Sequence, residues 1–67
     1  MDVIGSRVEE TGRLVREGGG FVLLRDRGGR LRLDLHRVPV DQVEKQVRVS
    51  GILVAEGLVE ADGVANA

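Results

Sequence analysis

Leu31, Leu33 and Leu35 alternate strictly with Arg30, Arg32, Asp34 and His36. A period of two puts one face of a strand in a core and the other in water. Residues 30–36 are therefore the clearest strand in the chain. Residues 10–17, 21–25, 47–54 and 58–64 use the same vocabulary of valine and leucine broken by charges, and are read as four more strands. Gly18-Gly19-Gly20 forms a loop free to take positive φ, Asp26-Arg27-Gly28-Gly29 is a hairpin signal, and Glu56-Gly57 is a turn. Val38-Pro39-Val40 breaks the third strand. Asp41, with Glu44 three residues on, resembles a capping box, so a short helix is predicted over 41–46, with Val40 and Val43 turned inward. Residues 1–9, charged and weakly periodic, are read as a flexible lead-in.

Five short strands left as an open sheet would expose both edges and one face. Closure removes the edges, and glycines allow strands to bend where a barrel needs corners. Gly12 and Gly51 sit inside the first and fourth strands. The predicted fold is all-β: a five-stranded OB-like small barrel over residues 10–65, with one short helix between strands 3 and 4. The expected core is Leu14, Phe21, Leu23, Leu31, Leu33, Leu35, Val43, Val47, Val49, Leu53 and Val64.

Several segments also resemble a known group. Thr11-Gly12-Arg13-Leu14, Gly20-Phe21-Val22-Leu23 and Val47-Arg48-Val49-Ser50-Gly51 match the T-G-x-L, G-x-V-L and V-R-V-x-G strands of small bacterial OB-fold-like domains of unknown function. The similarity runs over about residues 10–65. Lys45-Gln46 departs from the Gly-Lys or Gly-Arg often found before the fourth strand of such domains. The resemblance implies an architecture and a bacterial source. It brings no substrate and no catalytic residues.

Composition narrows the function. The 67 residues hold no cysteine and one histidine, so neither a disulfide nor a zinc site is expected. No apolar run approaches the length of about 20 residues that spans a bilayer, and no signal peptide is seen; a cytoplasmic protein is expected. The only serines are Ser6 and Ser50, and His36 continues the polar face of a strand, so no catalytic triad is read. The triple glycine precedes a strand rather than a helix and lacks the lysine of a phosphate-binding loop. No enzyme, cofactor or metal is expected.

Charge carries the best functional signal. Net charge is −1, but eight of the ten basic residues lie between Arg7 and Arg37. Arg25, Arg27, Arg30 and Arg32 flank the hairpin between the second and third strands, where an OB barrel has its ligand surface, and Arg16 and Arg48 extend the set. Arginine binds phosphate through two bonds and stacks on bases. Against this, the chain has one aromatic residue, Phe21, and single strands are held by stacking plus charge. The expectation is a non-catalytic binding module. Single-stranded nucleic acid or another polyanion is one ligand class, and a solvated face of mixed charge is the structural alternative. The other functional class is a protein-interaction or self-assembly module, the latter a homo-oligomer, using the aliphatic surface of Ile52, Val54 and Leu58 and the small residues Val59, Ala61, Gly63 and Ala65. Those residues serve barrel closure equally well.

Overall fold

The computed structural model describes residues 3–37 and 39–67. It is all-β. The strands are β1 (Arg7–Glu17), β2 (Gly20–Arg25), β3 (Arg30–Leu35), β4 (Gln46–Ala55) and β5 (Leu58–Asn66). They close in a ring in the order β1-β2-β3-β5-β4. The β3–β5 pair is parallel, running from Arg32↔Leu58 to Leu35↔Ala61, and the other four pairs are antiparallel. No helix among the described residues is long and apolar enough to cross a membrane.

Closure depends on β1 belonging to two ladders. Its first half, Arg7 to Arg13, pairs with β4, and its second half, Gly12 to Glu17, pairs with β2. Gly12 stands in both, opposite Arg25 and Val47. A Cβ there would lie 2.9 Å from the Arg25 Cα and closer still to the Leu24 carbonyl oxygen, so only glycine lets the strands cross so tightly. At the far end of β1, Glu17 pairs with Gly20, and Gly18 and Gly19 make the two-residue turn with φ of 59° and 81°. Both values being positive is the requirement of a type I′ hairpin.

The core is the inward register of each strand. Leu14, Leu23, Leu31, Leu33, Val47, Val49, Leu53, Val59 and Ala61 form it, with Val8, Phe21, Leu35, Val43 and Val64 packed against it. Every expected core residue is in one of these two groups. Val8 joins them unanticipated, and Val59 and Ala61, read as serving either association or closure, belong to the core. Full burial of a leucine such as Leu14 or Leu23 contributes about 1.5–3 kcal/mol, so this small aliphatic set supplies the main driving force.

Three departures from expectation exceed a single residue at an element's end. The predicted helix over 41–46 is a single 3-10 turn, Val40–Gln42, and no side-chain cap opens it. A helix cannot continue because β1 captures the next residues. The Glu44 amide donates to the Leu14 carbonyl at 2.6 Å, and the Leu14 amide donates to the Lys45 carbonyl at 3.0 Å. Glu44 adopts φ of 69°, which ends helical geometry. Val40, expected inward, is 72% exposed, whereas Val43 packs on the core. Second, β1 begins at Arg7, so residues 7–9 of the expected lead-in are strand. Gly5 and Ser6 also bond to Leu53 through the backbone, while Met1 and Asp2 lie outside the described residues. Third, β5 extends to Asn66. The break read at Val38-Pro39-Val40 falls partly on Val38, also outside the described residues.

Candidate binding groove

The strands place the six arginines unequally. Arg25 continues the inward register of β2 beyond Leu23, opposite Gly12, and so comes to the mouth of the ring. Glu10 continues the inward register of β1 in the same way, two residues before Gly12. Its carboxylate, only 14% exposed, lies 3.6 Å from the Arg25 guanidinium and accepts from Arg27 Nε at 3.1 Å and again from Arg27 Nη2. Arg25 Nε also donates to the Gly28 carbonyl at 2.9 Å. One carboxylate thus holds two of the six arginines.

Arg30 pairs with Glu17. To meet, the two side chains reach across the outer face of β2, because Glu17 belongs to β1 and Arg30 to β3. Val22 faces outward beneath this crossing, yet is 5% exposed. Leu23 beside it is fully buried from the other side, so both faces of β2 are covered at this point. Arg16 places its guanidinium 5.7 Å from the centre of the Phe21 ring, a cation–π contact. Arg48, on β4 opposite Thr11 and Ala65, is separated from β3 by β5 and does not join the others.

Arg32 differs. It is exposed on the outer face of β3, and among the described residues it has no carboxylate partner. Its backbone N–H donates to the Gly57 carbonyl at 2.8 Å, which ties the β4–β5 turn to β3. Its outward neighbours across the ladders are Val22 on one side and Leu58 on the other. A groove of about 350 Å³ opens here between the Gly18–Gly20 turn and Leu58, with Val22, Arg32 and Asp34 along its floor. It combines apolar contact with the guanidinium of Arg32 and the carboxylate of Asp34, neither of which has an ion-pair partner among the described residues. Such a set suits holding an anion or a flat ring rather than breaking a bond.

The structure therefore gathers Arg25 with Arg27 on Glu10, leaves Arg30 on Glu17, and sets Arg32 alone in the groove. The organising residue that sequence reasoning missed is Glu10. Its signal was present: Val8, Glu10, Gly12 and Leu14 share one register of β1, so a carboxylate stood in a core-facing row. Val59 and Ala61, read as serving either an association surface or closure, are 1% and 3% exposed and lie in the core. Of that small-residue set Ala65 is exposed and Gly63 half-buried, while Ile52 and Leu58 are half-buried and Val54 is exposed.

The model of a family described as a protein of unknown function, DUF5818, matches residues 11–67. The chain belongs to the DUF5818 family. The match takes in Gly12, the Gly18–Gly20 turn, Arg32 and all of β2 to β5, and covers the segments whose strand motifs resemble small domains of unknown function. No curated protein and no solved structure matches the chain. As part of a DUF5818 domain, the groove around Arg32 has to be read from its own chemistry.

Proposed function

We propose that this DUF5818 domain is a non-catalytic binding module of OB type, working in the bacterial cytoplasm, which takes single-stranded nucleic acid or another polyanion in the groove around Arg32. The ring order β1-β2-β3-β5-β4, with β3 and β5 parallel, supports the OB reading. The groove crosses β2 and β3, the ligand-bearing strands of that fold. One observation carries the functional reading. Arg25, Arg27 and Arg30 are each held by a carboxylate of β1, whereas Arg32, between them and the β4–β5 turn, has no carboxylate partner among the described residues. An uncommitted guanidinium above apolar side chains meets a phosphate without first breaking an ion pair.

The test is fluorescence anisotropy of labelled oligothymidine and oligouridine at about 50 and about 200 mM salt, the range over which phosphate contacts reveal themselves. Binding that weakens with salt, and that is weaker with a shallower salt slope in Arg32→Ala, supports the reading. Absence of binding at the lower salt removes it. A second reading, a protein-interaction module, draws on a different part of the ring: the edge of β5 beyond Ala61.

A further inference from the structure

β3 stops pairing with β5 at Leu35↔Ala61, whereas β5 runs on to Asn66 against β4 alone. Among the described residues no strand covers this last part of the β5 edge. Two hydrogen bonds fix which groups point out of it. The Ala67 amide donates to the Gln46 carbonyl at 3.1 Å, so Ala67 faces β4. Successive residues of an antiparallel ladder alternate in direction, so the backbone groups of Asn66 and Val64 face away from β4. Gln42 shows the same for Val64, because its Nε2 donates to the Val64 carbonyl at 3.0 Å. A side-chain amide thus occupies the place of a strand N–H.

A groove of about 840 Å³ lies along this edge. Leu35, Pro39 and Val40 give it an apolar side, and Val40 is 72% exposed there. Arg37 and Lys45 also line it, and neither has a carboxylate partner among the described residues. Of its two acids, Asp62 is already engaged by Arg7 and Ser50, which leaves Asp41. The uncommitted charge is cationic.

We propose that this groove docks an extended acidic peptide segment, which adds to the edge of β5 as a further strand. Main-chain bonds to Val64 and Asn66 supply the ladder, with the peptide displacing the Gln42 amide. Its apolar residues meet Val40 and Leu35, and its carboxylates meet Arg37 and Lys45. Backbone bonds give affinity in this mode, and alternate side chains give selectivity. The inference does not rest on the Arg32 groove.

The experiment uses the full chain and a fluorescein-labelled peptide of alternating glutamate and valine, about eight residues long, the length of an ordinary strand. Anisotropy reports binding, and hydrogen exchange followed by NMR reports the Val64 and Asn66 amides. The expected result is binding that slows exchange at both amides. It should weaken by about tenfold when alternate peptide amides are N-methylated, since that removes ladder donors. Lys45→Glu should weaken it similarly, and Arg32→Ala should leave it unchanged. No binding overturns the proposal, as does equal binding of the N-methylated peptide or of a lysine–valine peptide. Protection of the same amides without peptide, rising with protein concentration as a dimer forms, overturns it in favour of a second copy.

Discussion

Gly51 lies directly against the backbone of Glu60. A Cβ on Gly51 would fall 2.9 Å from the Glu60 carbonyl carbon, 2.7 Å from the Ala61 Cα and closer still to the Glu60 carbonyl oxygen. Neither strand can yield locally, because β4 and β5 are hydrogen-bonded to each other and each is held by a further neighbour. The contact also marks a bulge: Ser50 faces Gly63 while Gly51 faces Ala61, so Asp62 is an extra residue on β5. Gly51→Ala is expected to destabilise the domain by about 1–3 kcal/mol, the cost of overpacking a tight site. Gly57→Ala, at φ of 72° with open space around it, should cost about 1 kcal/mol through backbone conformation alone. Urea midpoints for the two variants check the difference, and a Gly51→Ala midpoint equal to that of the unsubstituted chain contradicts the close approach.

Leu33 tests the register of β3. It is 7% exposed and pairs with Phe21 and Val59, whereas Arg32 and Asp34 on either side are exposed. Leu33→Asp should abolish folding, because an unpaired charge enters a core that holds no buried polar group among the described residues. A domain of this size has only about 3–10 kcal/mol of stability to lose. Retention of the native circular dichroism and melting temperature would show that Leu33 faces water.

What the sequence made legible was local. Leu31, Leu33 and Leu35 reveal their strand because a period of two needs only near neighbours, and Gly12 and Gly51 mark bends because glycine inside a strand has few other uses. What stayed hidden was decided between distant segments. Asp41 and Glu44 have helix-capping spacing, but Leu14 claims the backbone of Glu44 and Lys45 from far upstream. The arginines around the β2–β3 hairpin looked like one cationic face. Which of them keep their charge uncommitted depends on Glu10 and Glu17, brought beside them by the β1–β2 and β2–β3 pairings rather than by spacing along the chain.

Asp62 gives the domain an acid-sensitive clip. Arg7 Nη2 donates to Asp62 Oδ1 at 3.1 Å, and the Ser50 hydroxyl donates to the same oxygen at 3.3 Å, so β1, β4 and β5 meet at the bulge. The Arg7 hydrogen bond, aided by its charge and by Ser50, holds the Asp62 carboxyl below its ordinary value. A group depressed on folding contributes stability above its unfolded value and loses it as pH falls through the folded one. Melting temperature should therefore fall as pH drops below about 4, the ordinary aspartate range. Asp62→Asn should be less stable than the unsubstituted chain at neutral pH, and the gap should close in acid. An unchanging gap from neutral pH to acid would show that the carboxyl takes no part.

Glu10 links stability to the charge available at the ring mouth. Its carboxylate bonds to Arg27 and lies beside Arg25, so both guanidiniums are committed. Glu10→Gln keeps the shape but removes the anion. Arg25 then loses its carboxylate partner and can meet an external anion, while two cations at the mouth lose their common counter-ion. The expected result is a lower melting temperature together with tighter oligothymidine binding. The slope of log affinity against log salt should steepen by about one unit for each phosphate gained. Arg32→Ala should shift that slope the other way by about one unit, with little effect on melting, because Arg32 holds no ion pair among the described residues. If Glu10→Gln lowers stability but leaves binding and salt slope unchanged, Arg25 and Arg27 serve the fold alone, and the anion site is confined to Arg32.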